Sequence, residues 1–309
     1  MTVAAVIQMT SGADRARNLT RAAGLIAEAA EQGAVLAVLP ENFAFMGSSD
    51  QERLAAAEAD GSGPVQDFLA REAAHRGIWL VGGTLPLLDA DATLPAAACL
   101  VYDRAGRRVG RYDKIHLFDV TLPGDGESYR ESATIRAGRA PLLIDTPCGR
   151  LGIAVCYDLR FPELFRDLQS GGADGFAVPA AFTAQTGRAH WEILVRARAI
   201  ENLGYVLAAA QSGNHPGSRQ TYGNSLIVDA WGEILGRAPD GEGVVLAQLD
   251  SVGVVLWGGR LRGGGEGWRI NICRNRCKYE KDFLRWLIAS AEPVWQRTTT
   301  TVRSDNYDE

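Results

Sequence analysis

The chain has 309 residues, 46% of them hydrophobic and 22% charged, enough apolar side chain to close one large core, since domains grow to roughly 250–300 residues before splitting. A net charge of -5 and a pI near 5.5 argue against nucleic acid or an anionic lipid surface as a partner. The opening MTVAAVIQMT lacks the basic start and long apolar stretch of a secretory signal, and no apolar run reaches the roughly 18–20 residues that span a bilayer, so a cytoplasmic protein with no membrane attachment is expected.

Residues 3–8 read as a short apolar strand, after which Leu19, Ala22, Ala23, Ile26, Ala27 and Ala30 recur at helical spacing until Gly33 stops the run. Residues 35–39 are nearly all apolar, as a strand covered on both faces must be, and they end abruptly at Pro40-Glu41-Asn42. A carboxylate thus sits at a strand end. Pro64 opens a second helix with Val65, Phe68, Leu69 and Ala73 on one face; Gly77 closes it, and residues 79–83 resume a strand. Strands over 97–102 and 108–113 flank Arg104-Ala105-Gly106 as a hairpin. Beyond it the pattern predicts a strand over 152–155, a helix over 161–170, a strand over 175–179, a helix over 190–203, and strands over 205–211, 225–229 and 244–249. Such a mixture implies a layered α/β domain. From about Val252 the pattern breaks: residues 258–267 have linker composition, residues 283–288 fit one short amphipathic helix, and a polar end begins at Thr298. One domain over residues 1–251 and an atypical, partly flexible tail over 252–309 are expected.

Three residues stand where chemistry is favoured. Cys156, in Gly152-Ile-Ala-Val-Cys-Tyr-Asp-Leu-Arg-Phe-Pro-Glu-Leu164, directly follows a buried strand and directly precedes a helix, near the positive end of that helix's dipole. Thiolate formation and oxyanion binding are both favoured there, the competing reading being a small buried hydrophobe. Glu41 caps a fully apolar strand, so desolvation should raise its pKa toward that of a base usable near neutrality; a solvated loop glutamate is the alternative. Lys114 is embedded between apolar neighbours, and its alternative is a strand-end lysine reaching water. His116 and His190 leave open a cysteine–histidine hydrolase. The five cysteines, an odd number, fit unpaired thiols in a reducing compartment. Cys273 and Cys277 have no second pair or nearby histidine, so no metal site is expected.

Taken together, Pro40-Glu41, Tyr112-Asp-Lys-Ile-His-Leu-Phe-Asp119 and Cys156-Tyr-Asp-Leu-Arg-Phe-Pro-Glu163 occur in an order and at separations that resemble the nitrilase superfamily of carbon–nitrogen hydrolases, over residues 3–250. The resemblance implies a four-layer α-β-β-α sandwich that pairs through its helical layers into a homodimer or larger homo-oligomer. It also implies a Glu–Lys–Cys catalytic set falling on Glu41, Lys114 and Cys156, and a supporting glutamate at Glu131, with Glu127 as the alternative if the intervening loop shifts the alignment. The stretches Thr186-Gly-Arg-Ala-His-Trp-Glu192, Arg196-Ala-Arg-Ala-Ile-Glu-Asn202 and Ala208-Ala-Ala-Gln-Ser-Gly213 look most like amidases acting on deaminated glutathione, with omega-amidases acting on 2-oxoglutaramate second.

The chemistry so implied is acyl transfer on a small carboxylated amide, with Lys114 and the Tyr157 backbone N–H holding the oxyanion and no metal or organic cofactor taking part. Arg160, Arg188 and His190 are the candidates for binding the substrate, although Arg188 stands where those amidases more often have proline. A nitrilase or N-carbamoyl hydrolase would use the same three catalytic residues. A fold that binds a small molecule or partner without turnover is the reading from another class. Residues 252–309 do not match the basic and apolar segment with which family members finish.

Overall fold

The computed structural model describes residues 2–121 and 128–249. The chain begins with β1 (Thr2–Gln8), α1 (Arg15–Glu31), β2 (Leu36–Val38), α2 (Asp50–Ala55), β3 (Glu58–Ala59), α3 (Pro64–Arg76) and β4 (Trp79–Val81). Next come β5 (Leu85–Leu88), β6 (Ala96–Tyr102), β7 (Arg108–Asp113) and an antiparallel pair, β8 (Asp119–Thr121) with β9 (Ser128–Arg130). The second half contains β10 (Leu142–Thr146), β11 (Gly149–Ile153), α4 (Pro162–Ser170), β12 (Gly175–Ala180), α5 (Ala184–Asn202) and β13 (Tyr205–Ala210). The pair β14 (Ser212–Asn214) and β15 (Gln220–Tyr222) leads to β16 (Leu226–Val228), β17 (Ile234–Arg237) and β18 (Gly243–Leu249).

Two large sheets are built from these strands among the described residues. One has the order β18-β1-β2-β4-β6-β5-β3, with β7 paired to β6; the other runs β10-β11-β12-β13-β16-β17. The centre of each is parallel, β1-β2-β4 in the first and β11-β12-β13 in the second. Side chains on a strand alternate between faces, and β1 shows what each face meets. Ala4 and Val6 join Ala177, Leu207 and Ala209 of the second sheet, whereas Ala5 and Ile7 join Leu25 and Ile26 of α1 and Phe68 and Leu69 of α3. On the far face of the second sheet, α4 and α5 contribute Phe165, Trp191 and Val195. The layers are therefore helix, sheet, sheet, helix: the four-layer α-β-β-α sandwich. Both sheets being covered on both faces explains why their central strands are apolar throughout.

The helix expected over 190–203 starts earlier, at Ala184. Thr183 accepts a hydrogen bond from the Thr186 N–H at 3.3 Å and caps this start. Gly187 stands in the first turns because Tyr222 lies against it: a Cβ there would come within 2.2 Å of the Tyr222 Cβ. The strand expected over 152–155 ends at Ile153. The short elements α2, β3, β5, β8, β9, β10, β14, β15 and β17 carry too few residues for a periodic signal. Glu127, Cys273, Cys277, the helix expected over 283–288 and the tail as a whole lie outside the described residues. No helix among the described residues is long and apolar enough to cross a membrane.

Candidate active site

Glu41 leaves the end of β2, where its backbone is held from several sides. The Gln211 side chain donates to the Glu41 carbonyl at 3.0 Å, and the Asn42 N–H donates to Thr84 Oγ1 at 2.9 Å. Gly83, at φ +57°, passes so close that a Cβ would come within 2.1 Å of the Pro40 carbonyl oxygen. Only glycine allows both that conformation and that approach.

Lys114 follows β7. Its N–H donates to Ala97 O at 3.0 Å and its carbonyl accepts from the Gly138 N–H at 2.8 Å, so the stem is fixed at both backbone groups. Cys156 comes three residues after β11 and opens a tight turn over Cys156–Arg160, with φ of +49°. A non-glycine residue in the left-handed region persists only when its surroundings hold it there, and strain of this kind gathers at functional sites. The holder is Asp158, which is wholly buried. It accepts from the Val155 N–H at 2.8 Å, the Tyr112 hydroxyl at 2.7 Å and the His116 N–H at 2.9 Å, with His116 Nδ1 a further 2.7 Å contact.

The three side chains meet. Lys114 Nζ lies 2.8 Å from Glu41 Oε1 and 2.9 and 3.2 Å from the two Glu131 oxygens, and the Phe118 N–H donates to Glu131 Oε2 at 2.7 Å. The Cys156 thiol hydrogen-bonds to the Glu41 carboxylate, and the Ala181 N–H is directed at its sulfur. Lys114 is 1% exposed, Glu41 3% and Cys156 6%.

Electrostatics in this dry pocket run against two expectations. Burial pushes the Glu41 pKa up, but the charge and hydrogen bond of Lys114, with help from Cys156 and Arg219, pull it further down, to a net position below the ordinary 4.5. For Lys114, burial is outweighed by the charges of Glu131 and Glu41, which hold its pKa well above 10.5. The Cys156 thiol moves well above its ordinary 9.0, through burial first and the Glu41 charge second, against the pull of Lys114 and the Ala181 N–H. The resting set is thus carboxylate, ammonium and neutral thiol. Glu41 is not raised, because a cation touches it. The thiol is not lowered, because burial and the Glu41 charge outweigh Lys114, and α4 begins only at Pro162, beyond an intervening five-residue turn.

Glu41, Lys114, Glu131 and Cys156 line one cavity of about 280 Å³, the size for a small molecule. Tyr157 and Arg160 also line it. Arg188 and His190 are exposed and lie outside that lining among the described residues; the helix starting at Ala184 presents Thr186 instead. His190 Nδ1 is 3.3 Å from Arg160 Nη2, in an exposed contact. His116 Nδ1 is held by Asp158 and its ring stacks on Phe161 with centroids 3.6 Å apart, and it lies outside the cavity lining among the described residues. Sequence reasoning missed Arg53, Arg130 and Arg219 in the wall. Arg219 sits in a short connection between β14 and β15, where no periodicity marks it.

Residues 3–258 match the carbon-nitrogen hydrolase family. A deaminated glutathione amidase of Synechocystis sp. is 44% identical over 252 residues, covering 80% of this chain and 91% of the relative. That of Yersinia enterocolitica is 41% identical over 251 residues, covering 81% of this chain and 87% of the relative. Among solved structures, the Caenorhabditis elegans NitFhit protein is 38% identical with a TM-score of 0.72; the match covers 81% of this chain and 60% of that one, less than two thirds of its length. With the four-layer sandwich and a match across most of its length, the chain belongs to the carbon–nitrogen hydrolase family of the nitrilase superfamily.

Proposed function

We propose that this carbon–nitrogen hydrolase is an amidase acting on a small carboxylated amide through a thioester on Cys156, with deaminated glutathione as its substrate. The observation that supports this most is the junction of Glu41, Lys114, Glu131 and the Cys156 thiol in one cavity. A charged carboxylate bonded to a neutral thiol is a base paired with its nucleophile. As Sγ attacks the amide carbon, Glu41 takes the thiol proton, and the negative charge that moves onto the carbonyl oxygen is held by Lys114 Nζ and the Tyr157 N–H. When the tetrahedral adduct collapses, the C–N bond breaks and Glu41 returns the proton to the departing nitrogen. A water then gives its proton to Glu41 and attacks the thioester, releasing the carboxylic acid and restoring the thiol. Glu131 holds Lys114 from the side opposite Glu41. Arg160, beside Tyr157, receives a substrate carboxylate.

The hydrolase domain spans residues 1–251, works in a reducing, cytoplasmic setting with free thiols, and assembles as a homo-oligomer. Supporting the last point, Ile193 and Ile200 of α5 are 69% and 47% exposed one heptad apart, and Trp231 is 40% exposed. Apolar residues so presented favour a protein contact.

The test is acid release from deaminated glutathione, 2-oxoglutaramate, a nitrile and an N-carbamoyl amino acid, with mass spectrometry of the acylated enzyme. Faster turnover of 2-oxoglutaramate would reassign the substrate to the omega-amidase type. Turnover of the nitrile or carbamoyl compound alone would overturn the amidase reading. Binding without any acyl-enzyme would overturn catalysis through Cys156.

A further inference from the structure

We infer that Arg219 is a specificity residue that anchors a second substrate carboxylate in the cavity, besides the one received by Arg160. The inference rests on the amidase reading above and deepens it: the preferred amide carries two carboxylates.

Charge in the cavity points this way. Lys114 is matched by Glu41 and Glu131, and Arg53 lies 3.6 Å from Asp50; Arg130 is exposed, whereas Arg160 and Arg219 are half-buried with no carboxylate ion-pair partner among the described residues. Both are held in place without one. An aromatic row joins them: the Phe118 ring centroid is 5.0 Å from that of Tyr129 and 5.2 Å from that of Tyr157. The Arg219 guanidinium carbon lies 5.7 Å from the Tyr129 centroid, and that of Arg160 lies 5.9 Å from the Tyr157 centroid and 5.4 Å from that of Phe182, the neighbour of Ala181. Stacking fixes a guanidinium's plane and leaves its edge donors for a ligand.

Arg219 also has donors to spare. One goes to the Ala181 carbonyl at 3.1 Å, while Nε is buried with no hydrogen-bond acceptor. A guanidinium carries five N–H groups, and a planar carboxylate can take two of them together. Holding Ala181 alone would leave most of that capacity unused. Ala181 is the residue whose N–H addresses the Cys156 sulfur, so a carboxylate bound at Arg219 sits close to the reacting centre.

The experiment compares Arg219→Gln with the unaltered chain in two ways. Glutarate and butyrate are titrated by calorimetry into Cys156→Ala and into Cys156→Ala/Arg219→Gln. Turnover is then measured on glutarylglycine, with two carboxylates, and on butyrylglycine and glutaramate, with one each. The expected result is a loss of about tenfold or more in glutarate affinity with little change for butyrate, and a matching rise in KM for glutarylglycine and glutaramate but not for butyrylglycine, since a hydrogen-bonded charge pair is removed. Equal weakening of both acids, or a uniform fall in kcat on all three amides with KM unchanged, would overturn the inference and leave Arg219 a support for Ala181 and Glu41. If the unaltered chain hydrolyses none of the amides, the amidase reading fails, and the calorimetric comparison still decides the role of Arg219.

Discussion

Tyr112 donates its phenolic hydrogen to Asp158 at 2.7 Å, and this bond ties the strand that leads to Lys114 to the turn that carries Cys156. Tyr112 stands two residues before the lysine, and Asp158 two residues after the cysteine. Both are buried, and the same carboxylate also grips Val155 and His116, so one side chain fixes the approach of nucleophile to lysine. Burial and the Asp158 charge drive the Tyr112 hydroxyl far above its ordinary 10.0, which keeps it a donor at every working pH.

Tyr112→Phe should therefore lower stability by about 1.5–3 kcal/mol, the usual worth of a hydrogen bond to a charged group, and should lower kcat while leaving KM nearly unchanged. Urea unfolding and steady-state kinetics check both parts. Wild-type stability together with wild-type kcat would mean that the bond does not position the turn.

Cys156→Ala should abolish hydrolysis without unfolding the protein. Alanine removes only the thiol, and the Asp158 contacts that hold the turn involve other residues. Retention of a tenth of normal turnover, with native circular dichroism, would exclude Cys156 as nucleophile. Iodoacetamide should label it ahead of Cys99 and Cys148, whose thiols burial alone pushes up, that of Cys148 to about 12.

The sign of the pH dependence follows from Glu41. The base must be unprotonated, and its pKa lies below the ordinary 4.5, so kcat/KM should stay level as pH falls from neutrality and drop only below about 4.5. The thiol, being well above 9.0, stays protonated throughout that range and adds no second limb. A pH profile of kcat/KM, read where the fold is still intact, measures this. An inflection near 6.5, the ordinary histidine value, would instead point to an imidazole base.

Much of the site was legible because a buried strand has to be apolar. The runs before Glu41 and Cys156 announce strands covered on both faces, and a reactive side chain just past such a run has few other reasons to be there. Glu131 has no such signal: it begins a three-residue turn beside the short pair β8 and β9, and only the family motif pointed to it. The protonation states were illegible for a different reason. Glu41 takes its sign from an ammonium 2.8 Å away but 73 positions along the chain, a contact that no local pattern encodes. The helix boundary bears on Arg188. With α5 starting at Ala184, that residue falls on the exposed face, and the cavity is met by Thr186 instead.

Lys114→Arg should damage activity almost as much as Lys114→Ala, which separates an oxyanion donor from a mere need for positive charge. The ammonium is 1% exposed and wedged between carboxylates at 2.8 and 2.9 Å. Alanine leaves Glu41 and Glu131 buried without their cation, a loss that typically costs about 3–5 kcal/mol and should raise the Glu41 pKa. Arginine keeps the charge, so it should preserve more of the stability. Its guanidinium is wider and directs its donors along a fixed fork, in a space shaped for a compact point charge. Oxyanion donors must stand about 2.7–3.1 Å from the oxygen, and losing one lowers the rate by about 10²–10³. Both variants should thus fall by that order in kcat/KM on one good amide, while urea unfolding ranks arginine above alanine. Near-normal turnover by Lys114→Arg would show that charge alone suffices and would remove Lys114 from direct contact with the oxyanion.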